Sequence, residues 1–275
     1  MKKLKMFCLT LNPQHLNLIE NLEYLPVGLG DSNFNNKFMQ DKIGKNISFK
    51  NSFYGEYTFH YWLWNNYLDE IDTEWVGFCQ YRKFFIKKEL NEKNLSLELL
   101  KENLIKDITD ELNEFDCILG KPFSVNQLKL TKFIKRNFLK LIKNPSVIYS
   151  SKKRNIKFHF DIFHGEGHLD EAIKLLDNEN KNDFKDFVNL NTSFNPHNMF
   201  MCKKKYLEKY YSSVFPWLKK CEKKFGFENL KGYGMKRIYG FLAERYLSYW
   251  FQKNSRVKEY PIVVKDLLDL DYKNF

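Results

Sequence analysis

At residues 80–83 the chain reads Gln-Tyr-Arg-Lys, directly after the apolar run Trp75–Cys79. A phenol and two cations at the end of a buried strand suit an anion. A guanidinium grips a diphosphate through two parallel N–H···O bonds, and an ammonium adds a point charge. Arg82 is equally suited to a structural ion pair with Glu56 or Glu244. A second cluster, His159-Phe-Asp161-Ile-Phe-His164-Gly-Glu166-Gly-His168-Leu-Asp170, sets three histidines and three acids close together. Its spacing is not H-E-x-x-H, and Gly165 and Gly167 favour a turn over a helix face. It reads as an active-site loop capping a helix that begins near Leu169. Asp161, Glu166 and Asp170 are then candidates for a general base, and His164 and His168 for contacts to sugar hydroxyls. Metal ligation is the competing reading of the same residues.

Three further stretches carry weaker signals. His197 and Asn198 precede the apolar run Met199–Cys202 and suit hydrogen bonds to sugar hydroxyls. The polar loop Asp41–Ser48 contains Gly44 and Lys45. Backbone N–H groups at the start of a following helix, capped by Ser48 or Asn51, would favour phosphate. Glu56 lies among aromatics, either paired structurally or functional. Arg237, Glu244 and Arg245 ride one helix, where a Glu244–Arg245 pair is the plain explanation and Arg237 is the cation best placed to act elsewhere.

The elements that must position these residues alternate between strand and helix. Lys5–Leu11, Tyr24–Leu29, Trp75–Tyr81, Asp116–Gly120, Met199–Cys202 and Ile262–Val264 read as strands. Phe53–Tyr67, Leu95–Leu112, Leu169–Leu176, Tyr206–Phe225 and Met235–Phe251 read as helices, the last after a bend at Gly232 and Gly234. This order predicts an α/β fold with a mixed sheet and with binding residues at strand carboxyl ends. Between 126 and 159 there is no acid, and ten Lys and Arg residues interleave with apolar ones at helical spacing. That pattern suits either a basic amphipathic helix on an anionic bilayer or a solvated face of the body. A single domain over 1–275 is expected, with this segment as an insertion and a helical part at about 203–252.

Bulk properties narrow the function classes. The 275 residues are 43% hydrophobic and 17% aromatic, enough for a large core. A net charge of +11 favours anionic partners, yet no zinc finger, RNP-like signature or helix-turn-helix points to nucleic acid. The five cysteines are scattered without a C-x-x-C pair and read as buried hydrophobes in a reducing compartment. The first apolar run is too short for a signal peptide, and no window reaches the ~18 apolar residues of a membrane span. A cytoplasmic protein is expected, either free or peripheral on the inner face of the membrane. There is no G-x-x-x-x-G-K-[ST], and the D-x-D at Asp269–Asp271 lies in the C-terminal tail.

Taken in order, YLPVGLG at 24–30, GKNIS-x-KN-x-x-YGEYT-x-x-YWLW-x-N at 44–66, GFCQYRKFF at 77–85, NMFM at 198–201 and GFLAER at 240–245 are similar to a bacterial glycosyltransferase family of capsule and O-antigen loci. That family has long been catalogued as a domain of unknown function. The resemblance implies a GT-A-like (Rossmann-like) α/β fold and transfer from a nucleotide-sugar donor, a UDP-sugar first. Assigned members move galactofuranose onto lipid-linked glycans. This chain carries Lys45, Gln80 and Lys83 where relatives usually have Asp, His and Arg. The implied roles are diphosphate binding by Arg82, Lys83 and Arg237 with Lys45 and Asn46 assisting. Tyr81, Gln80, Glu56, His197 and Asn198 would position donor and acceptor. With several cations available, a divalent metal is dispensable in this scheme. A non-catalytic protein binding polyanions or membrane is the rival reading, separated by where the charge lies.

Overall fold

The structure is a computed structural model that describes residues 3–126 and 150–271. It divides into two compact units. The first comprises Met1–Lys121, His197–Ser213 and Trp250–Phe275, and the second Pro122–Pro196 and Val214–Tyr249. Most of the basic segment 126–159 lies outside the described residues. Of its remainder, Ser151–Lys153 forms one 3-10 turn and Ile156 opens a helix.

The strands are β1 (Leu4–Thr10), β2 (Leu25–Gly28), β3 (Met39–Gln40), β4 (Trp75–Gln80), β5 (Lys83–Phe85), β6 (Cys117–Gly120), β7 (Phe123–Ser124), β8 (Ser193–Phe194), β9 (Phe200–Lys203), β10 (Val257–Tyr260) and β11 (Ile262–Val264). In the first unit nine of them form one sheet in the order β10-β6-β9-β4-β1-β2-β3, with β5 pairing β4 and β11. β4, β1, β2 and β3 run parallel, and β9 lies antiparallel between β4 and β6. Side chains of β1 alternate between two buried faces. Leu4, Met6 and Cys8 share a core with Leu18, Ile19, Leu97 and Leu100. Phe7, on the other face, meets Phe59 at 5.4 Å and Phe78 at 5.6 Å. Burial on both faces explains why these strands are nearly continuous apolar runs. All five cysteines are free and buried. The α/β mixed sheet flanked by helices is as expected.

Three predicted helices are broken, Met235–Phe251 being divided at Arg237 into Tyr233–Lys236 and Ile238–Asn254. In place of one helix over 53–67 there are Asn51–Tyr54 and Tyr57–Asn66. Gly55 between them has φ 58° and ψ −134°, a conformation only glycine adopts readily. The segment Leu95–Leu112 yields only Leu97–Asn103 and Asp110–Asn113. The backbone between them is drawn to β5 instead, with Ile105 N–H donating to the Phe85 carbonyl and Leu104 bridging Ile86.

The second unit is helical, with β7 and β8 as a short antiparallel pair. Its helices include Ile156–His164, His168–Lys174, Asn178–Leu190 and Tyr233–Lys236. Phe184 is an aromatic hub, meeting Trp217 at 5.9 Å and Tyr246 at 5.3 Å.

Candidate functional site

Parallel strands end together, so residues distant in sequence gather at one edge of the first unit. β4 ends at Gln80, Tyr81 and Arg82 form the tip of a tight turn, and Lys83 opens β5 opposite Gln80. The charged end of the strand is thus a hairpin tip, not a continuation of β4. Arg82 is exposed, and its guanidinium lies 5.6 Å from the Tyr81 ring.

Glu56 immediately precedes helix Tyr57–Asn66. Its Oε1 accepts from Gln80 Nε2 at 3.3 Å and from Asn198 Nδ2 at 3.0 Å. Gln80 Nε2 also donates to the His197 carbonyl at 3.1 Å. Glu56 thus accepts from two side-chain amides, Gln80 and Asn198, where the sequence suggests a pairing with Arg82. His197 and Asn198 hold φ of 81° and 52°, left-handed values that non-glycine residues adopt at a cost. Burial, reinforced by the charges of Lys83 and Arg82, pushes the His197 pKa down to about 3. Its imidazole is neutral near pH 7 and able both to donate and to accept hydrogen bonds.

The polar loop before this helix is fixed through its backbone. Asn66 accepts from Lys45 N–H and donates to the Lys45 carbonyl, both at 2.9 Å, and Trp62 Nε1 donates to the Ile43 carbonyl at 2.7 Å. The Lys45 side chain is left exposed. Asn46 closes the loop on itself, donating to the carbonyls of Lys42 and Gly44 and accepting from Ser48. Neither Ser48 nor Asn51 caps the helix as expected. Asn51 instead donates to the Gly55 carbonyl and the Thr58 hydroxyl across the break.

Sequence reasoning missed two features of this edge. Asp41, just past β3, is fully buried with neither oxygen in good hydrogen-bond geometry, and burial raises its pKa against the opposing pull of Thr58, the backbone and Lys42. His15 is buried, with Nδ1 2.7 Å from Thr10 Oγ1, Nε2 3.2 Å from Asp266 Oδ1, and its ring stacked on Tyr81 at 4.7 Å and 21°. Burial lowers its pKa against the opposing pull of Asp266. The carboxylate fixes the proton on Nε2, so Nδ1 accepts from Thr10. The turn holding His15 starts at Asn12, whose side chain accepts from Gln14 N–H and which precedes Pro13 at the start of the 3-10 helix.

The second unit holds the remaining predicted residues. His159, Asp161 and His164 lie on helix Ile156–His164, so the turn read from the sequence is confined to Gly165–Gly167. Lys157 forms ion pairs with Asp161 at 2.6 Å and Asp170 at 3.0 Å, and Asp161 also accepts from Gly167 N–H. Glu166 is exposed. His159 and His164 face the buried Arg245, whose guanidinium also pairs with Glu244 and lies 4.4 Å from the Phe194 ring. Burial, then the Arg245 charge, push His159 down to about 3 and His164 down to about 2. These histidines thus act as neutral partners of a caged arginine. His168 stacks edge-on with Phe225 at 5.2 Å. Arg237 follows helix Tyr233–Lys236, 5.7 Å from the Tyr233 ring. Among the described residues no group of three or more His, Cys, Asp or Glu is arranged to hold a metal, and no helix is long and apolar enough to cross a membrane.

The fold is similar to that of a solved structure described as the WbbM bifunctional glycosyltransferase in its apo form. The TM-score is 0.65 at 20% identity, covering 96% of this chain and 45% of that one. This chain therefore spans under half of that protein, and the likeness agrees with the GT-A-like expectation for the fold. No curated protein matches it. The family model described as Domain of unknown function (DUF4422) matches residues 8–255, and the chain belongs to that family.

Proposed function

We propose that the protein is a glycosyltransferase that moves a sugar from a nucleotide-sugar donor to a glycan acceptor. The observation that carries the reading is Glu56, a carboxylate held by the amides of Gln80 and Asn198 at the sheet edge where Arg82 and Lys83 emerge. A protein that only bound polyanions would gain nothing from a fixed carboxylate among its cations. Glycosyl transfer uses both charges, a base for the acceptor hydroxyl and cations for the leaving diphosphate. The fold shared with a protein named as a glycosyltransferase supports the same reading.

In the proposed reaction the acceptor oxygen attacks the anomeric carbon as its bond to the diphosphate breaks, and the hydroxyl proton passes to a carboxylate. Arg82 and Lys83 bind the diphosphate, with Lys45 and Asn46 assisting, while Tyr81, Gln80, His197 and Asn198 orient the sugars. We assign the base to Glu56, because it stands at the sheet edge beside Gln80 and the Arg82–Lys83 turn, whereas Asp161 and Asp170 both ion-pair with Lys157 in the second unit. Glu166, together with those two aspartates, is the alternative base. Roles for Arg237, His164 and His168 are separate proposals about the second unit. At the finer level, a UDP-sugar of galactofuranose type, a lipid-linked surface-polysaccharide acceptor, an inverting course and an anionic membrane contact through 126–159 are proposed from the family resemblance and the sequence.

The test is a thermal-shift titration with nucleoside diphosphates, followed by transfer assays on Arg82→Ala. One or more diphosphates should raise the melting temperature. Arg82→Ala should lower kcat/KM by roughly 10- to 100-fold, the value of ~1.5–3 kcal/mol for a hydrogen bond to a charged group. Because the side chain is exposed, the fold should be unaffected. Full activity in that variant, or strongly salt-dependent DNA binding with no nucleotide response, would overturn the proposal.

A further inference from the structure

Beside the proposed donor site lies a partly buried polar chain that the reaction as written does not use. Thr10 ends β1, and its hydroxyl accepts from Asn12 N–H at 3.0 Å and meets His15 Nδ1 at 2.7 Å. His15 Nε2 reaches Asp266 Oδ1 at 3.2 Å, across 251 residues of sequence. The same Asp266 oxygen accepts from Leu268 N–H at 3.1 Å. The neighbouring backbone clasps the hairpin tip, with Leu267 N–H donating to the Tyr81 carbonyl at 3.2 Å and Lys265 N–H to the Arg82 carbonyl at 3.0 Å. His15 closes the circuit by stacking on the Tyr81 ring, which in turn lies 5.6 Å from the Arg82 guanidinium.

We infer that His15 and Asp266 are positioning residues of the donor site, a clamp that fixes the Tyr81 ring and through it the Arg82 guanidinium. A phenol at a hairpin tip has two side-chain torsions to settle, and a stacked ring anchored at both nitrogens removes that freedom before a ligand arrives. A histidine serving only as core filler would not need partners on both nitrogens, one of them supplied from 251 residues away. Residues 265–268 thereby become part of the site, although they contain none of the residues assigned to the donor. The clamp rests on the proposed reading for its purpose but not for its existence.

The experiment has two arms, so that the clamp and the donor reading can fail separately. Hydrogen exchange on the ligand-free protein reports the clamp alone. Asp266→Ala should speed exchange at Leu267 and across the 81–83 tip about tenfold or more, because the bond from Leu267 to Tyr81 loses its anchor. Asp266→Asn keeps an acceptor oxygen for His15 and Leu268 and should exchange like wild type. UDP binding by calorimetry reports the purpose. Asp266→Ala and His15→Phe should each weaken UDP about 5- to 10-fold, the worth of one ordinary hydrogen bond, and neither should add to the loss in Arg82→Ala. Asp266 is a third exposed, so its replacement is compatible with folding, and the circular dichroism melt checks this. Unchanged exchange in Asp266→Ala, or losses that simply add to Arg82→Ala, would refute the clamp. Altered exchange with no UDP binding even in wild type would keep the clamp and sink the donor reading.

Discussion

A single carboxylate decides most at the residue scale. Gln in place of Glu56 retains an oxygen that can accept from Gln80 and Asn198, so Glu56→Gln should fold normally. Its kcat should fall by about 10²–10⁴, the usual contribution of a positioned base, with donor KM little changed. If Glu56→Gln kept its kcat while Asp161→Asn or Asp170→Asn lost it, the base would belong to the second unit. From sequence Glu56 was ambiguous between pairing and chemistry, because the deciding partners, Gln80 and Asn198, stand 24 and 142 residues away. Gln80 was legible as a strand-end residue, but its role in holding the carboxylate and the His197 carbonyl was not. His15 was invisible for the same reason: its partner Asp266 sits in a stretch with no motif.

Among the elements, glycine placement governs how closely segments approach. A Cβ at Gly234 would stand 2.1 Å from the Phe163 carbonyl oxygen. That backbone atom cannot retreat without parting helices Tyr233–Lys236 and Ile156–His164. It would also break the 3.0 Å contact of His164 Nδ1 with the Gly234 carbonyl. Gly234→Ala should therefore destabilise the protein by about 1–3 kcal/mol, the cost of overpacking, seen as a lower urea midpoint at unchanged slope. An unaltered midpoint would show that the two helices separate freely. Gly77 works similarly within the sheet, where a Cβ would lie 2.1 Å from Met6 Sδ and 2.7 Å from Met201 Cγ. The sequence located both glycines and the bend near 232–234. It could not show which backbone each one admits, and the break after Asn103, where the chain turns to pair with Phe85 and Ile86, is likewise a tertiary effect.

For the whole molecule, the chief pH-sensitive groups are buried histidines. His60, His159, His164 and His197 are pushed from 6.5 down to about 3, 3, 2 and 3, in each case first by burial. A group whose native pKa lies below its unfolded value binds fewer protons when folded, so unfolding takes up protons and acid favours the unfolded chain. Stability from these groups is present above about pH 6.5 and should fall steadily as pH drops from there toward 3. Urea midpoints at pH 7, 6 and 5 should decline in that order. A flat profile would mean that these side chains are hydrated in solution. Surface charge acts separately: at +11 the protein should bind anions non-specifically at low salt, so nucleotide titrations belong at physiological ionic strength.

By itself the sequence determined the α/β class, most strands, the buried thiols and the likeness to a transferase family, because strand composition, helical spacing and contiguous motifs are local properties. It also marked Arg82 and Lys83, since a charged end on an apolar strand is a local anomaly. Only the tertiary structure decided which carboxylate shares their sheet edge, that three clustered histidines divide between a caged arginine and an aromatic contact, and that residues 265–268 clasp the hairpin tip. The first and last of those outcomes depend on strands meeting at one sheet edge, and the second on helices of the second unit packing around Arg245. Pairing between strands joins residues scores to hundreds of positions apart, and no short-range pattern encodes that join.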